Sequence, residues 1–201
     1  MSNITTPFGL RPVRYKDGSP WNGGGTIRTY IHASYAAALF IGDPVTWASE
    51  LDYKDTTAKY PSIKIAAGTA ASMLNGVIVS FEPRPATTLE QIYSPASTEG
   101  WANIVIDENV VFQIRDDGAG TPSKVYVGQN ATLTAGSGST VTGLSAWVMD
   151  TSTPAADQTA PLFILGLADI PGNELADYAV WEVLINTMTN AGGRYLGVTA
   201  T

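Results

Sequence analysis

Apolar positions along the chain fall in short runs, and glycine, proline, asparagine and aspartate separate these runs from one another. The runs are rich in β-branched and aromatic residues, which favour strands. A helical period of 3.6 residues fits only the segment Asn173–Asn186, where Leu175, Tyr178, Trp181 and Ile185 would share one face of a helix, but the alternation after Asp177 favours a strand there. The pattern predicts nine strands, at Ile27–Ile31, Pro44–Trp47, Ile63–Ala66, Val77–Phe81, Ile104–Ile106, Val110–Ile114, Leu144–Met149, Leu162–Leu167 and Ala179–Ile185.

Helical signals are confined to two short stretches. Ser34 precedes an Ala-rich stretch that ends at Leu39, and Thr88 precedes Leu89 and Glu90, so single turns of helix are expected over 34–39 and 88–93. Neither is long enough to organise a fold. Many short strands without a long helix predict an all-β protein, built either as a β-sandwich or as a small barrel.

Residues 1–26 differ from the rest of the chain in pattern and charge. Pro7 and Pro12 fix their own φ angles and favour extended backbone at the preceding residues, and Gly- and Asn-rich turns follow. Up to Gly42 the chain has four basic residues and one acid, a net charge of +3, whereas the remainder carries −10. We therefore predict an extended, basic N-terminal arm over 1–26 and a single β-rich domain over 27–201.

The composition favours a protein that buries surface against partners. Only 14% of residues are charged, while 44% are hydrophobic, and five Trp and nine Tyr are present. Interface cores are similarly poor in charge and rich in Tyr and Trp. The absence of cysteine excludes disulfides and thiolate metal sites. No apolar run is long enough for a membrane helix, and a pI near 4.5 argues against nucleic-acid binding by the body of the protein.

Residues suited to catalysis are sparse. His32 is the only histidine, and no nucleophile or orienting acid is singled out near it. The glycines of Gly118–Ser123 resemble a dinucleotide-binding loop, but Pro122 occupies the position that should lead into a helix. The acidic pairs Asp107–Glu108 and Asp116–Asp117 are adjacent residues, which point to opposite faces of a strand. We predict no catalytic, cofactor-binding or metal site, and the protein is not expected to be an enzyme.

Four stretches, in matching order along nearly the whole chain, carry a family resemblance. They are Thr6–Tyr15, Ala38–Val45, Gly76–Pro83 and the segment from Asn173 through Trp181 to Asn186. In them the chain resembles the structural cement (decoration) proteins of tailed double-stranded DNA bacteriophages. The resemblance implies a jelly-roll-like β-sandwich on the outer surface of the capsid, made and assembled in the cytoplasm of the bacterial host.

The resemblance also implies a role and a partner. The protein would stabilise the capsid shell by bridging neighbouring subunits of the major capsid protein, with the arm lying across them. Apolar burial and ion pairs with shell carboxylates would hold the arm, and no direct contact with nucleic acid or a membrane is expected. The arm residues expected to bind the shell are Phe8, Leu10, Arg11, Arg14, Tyr15 and Trp21.

A contact between copies of the chain is expected at the C-terminal strand. Val180, Trp181 and Leu184 give that strand apolar side chains on both faces, and only one face can pack on the core of the same domain. The other face would then need a second sheet, another subunit or the shell. We therefore predict a homo-oligomer, with a dimer slightly favoured over a trimer.

The alternative function is a virion surface module that binds a glycan or a host receptor. In that interpretation Trp21, Trp47 or Trp101 would be exposed platforms on which sugar rings stack. A hydrolase with an unrecognised site is the least favoured possibility, because no constellation of residues supports it.

Overall fold

The computed structural model describes residues 3–48, 59–83 and 91–187. Within these ranges the chain forms fourteen strands and one turn of 3-10 helix, Lys124–Tyr126, which Ser123 caps. The strands are β1 (Arg11–Tyr15), β2 (Thr26–Ile31), β3 (Leu39–Phe40), β4 (Pro44–Trp47), β5 (Ile63–Ile65), β6 (Gly76–Phe81), β7 (Tyr93–Ser94), β8 (Gly100–Val105), β9 (Val110–Arg115), β10 (Asn130–Ala131), β11 (Leu133–Thr134), β12 (Val148–Met149), β13 (Leu162–Leu167) and β14 (Val180–Ile185).

Two five-stranded antiparallel sheets dominate the described part of the chain. Sheet 1 has the strand order β1-β9-β14-β13-β10, and sheet 2 has the order β2-β8-β6-β4-β5. Two further pairs, β11 with β12 and β3 with β7, are also antiparallel. The N-terminal strand is therefore one edge of sheet 1, and the C-terminal strand β14 lies at its centre.

The core forms on both faces of sheet 2. Successive residues of a strand point to opposite faces, so Val77 and Ile78 of β6 contribute to different clusters. Val77 belongs to a cluster that includes Phe112 and Trp181 of sheet 1. Ile78 belongs to a second cluster, which includes Leu39 of β3. Sheet 2 is thus the middle layer, with sheet 1 on one side and the short β3–β7 pair on the other.

The prediction of an all-β protein is confirmed. The sheets are open and no closed barrel is found in the described ranges, so the structure is consistent with the sandwich alternative. Several details differ: residues 34–39 are not helical, β8 starts four residues before the predicted strand, and only the end of Leu144–Met149 is a strand. Part of the predicted turn at 88–93 lies outside the described residues, as do residues 188–201 of the predicted domain.

Candidate functional site

The N-terminal segment lies on the body of its own chain and does not project from it. In β1, Arg11 pairs with Gln113 and Tyr15 with Val110 of β9. Ahead of the strand, the Leu10 amide donates to the Gly42 carbonyl at 2.9 Å. Extended backbone was predicted here, but the segment uses it to complete sheet 1.

Asn3 fastens the start of the described chain to the loop that precedes β14. Its side-chain amide nitrogen lies 2.9 to 3.2 Å from the carbonyls of Glu174, Ala176 and Asp177, and its oxygen accepts from the Glu174 amide at 2.8 Å. Asn3 is only 9% exposed. The segment is thus tied down ahead of β1 as well as along it.

Leu10, one of the predicted partner-binding residues, is buried within the single chain and offers almost no surface to a partner. Its side chain is 1% exposed and belongs to the core cluster between the two sheets. Gly9, beside it, has a φ of +71°, and a Cβ there would lie 2.5 Å from the Gly42 oxygen, so the backbone passes too close for another residue. This close approach places Leu10 in the core.

An apolar groove of about 550 Å³ opens beside this segment. It is lined by Phe8, Arg11 and Trp21 of the N-terminal segment, together with Val79 and Ser80 of β6 and Asn103 of β8. We call this feature, defined by those six residues, the N-terminal groove. Four of the six predicted partner-binding residues, Phe8, Leu10, Arg11 and Trp21, therefore line one cavity, although Leu10 itself is only 1% exposed.

Arg11 is held at this groove by neutral groups. Its guanidinium lies 4.8 Å from the centre of the Phe8 ring and donates to the Gln113 side-chain oxygen at 2.7 Å. Within the described ranges it has no carboxylate partner, and it is exposed. A positioned cation without a counter-ion thus stands beside an apolar surface.

Arg14 and Tyr15 are not among the residues that line the groove. Arg14 donates to Glu182 of β14 at 2.6 and 3.2 Å, so its charge is already neutralised within the chain. Tyr15 packs against the core cluster, and its hydroxyl donates to Asn22 at 3.3 Å. The predicted pairing of Arg14 with a shell carboxylate is therefore replaced by an internal ion pair.

The predicted oligomer contact is buried within the single chain. Val180, Trp181 and Leu184 are 1%, 0% and 2% exposed, and β14 lies between β9 and β13. The Trp181 ring nitrogen also donates to buried Asp116 at 3.2 Å. These three side chains are not available to a second copy, because the chain itself covers both faces of the strand.

The tryptophans proposed as sugar platforms are all half-buried. Trp21 lines the N-terminal groove, and its ring nitrogen donates to the Gly24 carbonyl at 3.0 Å. Trp47 packs against the cluster that contains Leu39. The Arg28 guanidinium lies 4.1 Å from the centre of the Trp101 ring and is paired with Glu82, so it covers one face of that ring.

Two buried carboxyl groups, Asp43 and Asp116, are not among the residues that line the groove. Burial raises the pKa of Asp43 to about 6, although the Ser145 hydroxyl and the Phe40 amide both donate to it. Burial also raises the pKa of Asp116, which accepts from Trp181 and from the Gly118 amide. Each lies in a hydrogen-bonded setting of its own, and the described residues contain no group of three or more side chains suited to a metal ion.

The sequence analysis did not identify Ser80 and Asn103, which line the groove, or Gln113, which positions Arg11. Ser80 and Asn103 are polar residues on strands, where an alternating pattern assigns them to a surface face without locating it. The Asn103 amide donates to the Ser80 hydroxyl at 3.1 Å. Gln113 is only 6% exposed, and its place opposite Arg11 depends on a strand pairing across about a hundred residues of sequence. The sequence contains no local signal for either.

Comparison with known proteins gave no relatives: no family model, no curated protein and no solved structure matches the chain. Among the described residues there is also no helix with the length and apolar character needed to cross a bilayer. The groove is therefore interpreted from its own geometry.

Proposed function

We propose that this chain is a structural cement protein, which binds the outer surface of a phage capsid and braces neighbouring subunits of the major capsid protein. The observation that carries the proposal is the N-terminal groove. There Phe8 and Trp21 line an apolar cavity, and the Arg11 guanidinium lies beside it without a carboxylate partner in the described ranges. Phe8 and Arg11 lie within Thr6–Tyr15, one of the stretches that resemble the cement proteins, and Trp21 follows that stretch. A contact surface, rather than a catalytic constellation, is what this part of the fold offers.

The energetics suit a brace that acts through many copies. Phe8 and Trp21 are half-buried in the single chain, so covering the rest of their surface would contribute about 2–4 kcal/mol per groove. That is weak for one contact. On a repeating shell, however, a second contact by the same assembly becomes effectively intramolecular, which multiplies the overall affinity. An edge strand fixed to a rigid sheet also loses little conformational entropy on binding.

The proposal is tested with phage heads that lack their decoration protein. Purified chain is mixed with the heads, the heads are pelleted, and the bound chain is quantified. We expect saturable binding and a higher temperature of head disruption. The variant Phe8→Ala/Trp21→Ala should bind at least tenfold more weakly, whereas Leu175→Ala, which changes an apolar residue outside the groove that is 45% exposed, should bind normally. If the wild-type chain stays in the supernatant, the proposal is wrong.

A further inference from the structure

We infer that the N-terminal groove receives an extended segment of the shell protein in which a large apolar side chain stands next to an acidic residue, and that Arg11 binds that carboxylate. This inference rests on the proposed function, because it takes the shell as the partner. It goes further by naming the chemistry of the segment that binds.

The apolar half of the inference comes from the cavity itself. At about 550 Å³ it falls in the range of pockets that enclose most of a ligand, and Phe8, Trp21 and Val79 supply aromatic and aliphatic walls. Large side chains inserted into such pockets are the usual energetic centre of a protein contact. Ser80 and Asn103, which also line the groove, hydrogen bond to each other, so an apolar group can enter while this hydrogen bond is kept.

The acidic half comes from charge complementarity. Arg14 is neutralised by Glu182, and Arg28, which pairs in register with Asn103 of the groove, is neutralised by Glu82. Arg11 instead meets Gln113, a neutral group, at the position across β1 and β9 where a carboxylate would complete an ion pair. The Phe8 ring and Gln113 restrict the guanidinium, which lowers the entropic cost of binding an incoming carboxylate.

Arg11 and Arg14 form a matched pair for the experiment. Both lie on β1, where Arg11 donates to Gln113 of β9 and Arg14 reaches past β9 to Glu182 of β14, yet only Arg11 lines the groove. On decoration-free heads, Arg11→Ala should weaken binding about tenfold to a hundredfold, and Arg14→Ala should bind like wild type once its folding has been verified by thermal melting. Gln113→Glu should give a loss similar to Arg11→Ala, because it supplies Arg11 with an internal counter-ion.

Groove filling tests the apolar half separately. Ser80→Trp and Thr26→Trp place a ring in the cavity from different strands, and Thr26 is exposed, so at least that variant should keep its fold. Both are expected to reduce binding more than tenfold. If heads bind wild type but also bind a folded Thr26→Trp variant equally well, the groove is not the contact, while the cement function stands. If wild type itself does not bind, the proposed function fails first.

The neighbour of Arg11 can be identified directly. The variant Arg11→Lys is bound to heads and treated with a carbodiimide, which joins a lysine amine to a carboxylate in direct contact with loss of water. Mass spectrometry should find Lys at position 11 joined to an Asp or Glu of the shell protein, within two residues of a large apolar side chain. A product joined only to Glu182 of the same chain, or the same shell product from Arg14→Lys, would overturn the inference.

Discussion

Asp43 is a carboxyl group that the fold buries at the junction with the N-terminal segment. In the folded protein the Asp43 carboxyl group keeps its proton up to about pH 6, whereas in the unfolded chain it loses that proton near its ordinary pKa of 3.8. The folded state therefore binds more protons between these values, and its stability falls as the pH rises from about 4 through about 6. In Asp43→Asn we expect a weaker decline and, at pH 8, a gain of about 1–3 kcal/mol in the free energy of unfolding.

Urea denaturation at pH 4.5, 6 and 8 measures this effect. A side-chain amide in place of the carboxyl group can still accept from the Phe40 amide and can donate to Ser145, so the loop contacts are kept. Asp116 contributes a dependence of the same sign, so some decline should remain in the variant. Exposed Asp177→Asn controls for the loss of a negative charge. If the free energy of unfolding falls equally steeply with pH in wild type and in Asp43→Asn, Asp43 does not control this pH dependence.

Asn3 is expected to stabilise the fold through its hydrogen bonds to the loop before β14. Its side-chain oxygen accepts from one amide of the loop before β14, and the two hydrogens of its side-chain nitrogen are shared among three carbonyls of that loop. Asn3→Ala should therefore reduce the free energy of unfolding by about 1–3 kcal/mol, because buried loop groups lose their partner. Ile4→Ala is the matched control, since Ile4 is 59% exposed and its truncation should cost little. Chemical denaturation of wild type and the two variants measures the free energies of unfolding. If both variants lose the same amount of stability, the Asn3 contacts contribute nothing measurable.

At the scale of the element, β1 is expected to be part of the folding unit. Deletion of residues 1–21 removes an edge strand, the Asn3 contacts and Leu10, whose burial alone contributes about 2–5 kcal/mol. Since whole domains are stable by about 5–15 kcal/mol, the truncated chain should be largely unfolded or aggregated. Circular dichroism and tryptophan fluorescence measure this. A soluble truncated chain that melts cooperatively at the wild-type temperature would show instead that the N-terminal segment is an arm that the domain does not need for folding.

The sequence predicts strands well where apolar residues alternate in runs, and poorly elsewhere. The predicted runs at Pro44–Trp47 and Leu162–Leu167 match β4 and β13. Two-residue strands such as β3 and β7 depend on tertiary pairing and have no pattern of their own. β1 was missed because a proline and a bulge after it interrupt the alternation, which an edge strand tolerates.

At the scale of the whole molecule, two arginines of the basic N-terminal part form ion pairs with acidic residues of the same chain. The basic N-terminal part and the acidic body predicted an arm that binds elsewhere, yet Arg14 and Arg28 pair with Glu182 and Glu82 of the body. Composition cannot distinguish a segment attracted to a partner from one attracted to its own domain. Unlike Arg14 and Arg28, Arg11 has no carboxylate partner in the described ranges, and its position depends on Gln113 of β9.

The side chains of β14 that were predicted as the oligomer contact are buried within the chain, so a homo-oligomer would need another surface. Leu184 is 2% exposed in a central strand, so Leu184→Asp would bury an unpaired charge and should cost several kcal/mol, enough to unfold much of the protein. Val141→Asp, at a site that is 85% exposed, should leave the melting temperature nearly unchanged. Thermal melting compares the two variants, and sedimentation equilibrium of the wild type measures the oligomer directly. A folded Leu184→Asp protein with a smaller mass than wild type would show instead that this face is an interface between copies.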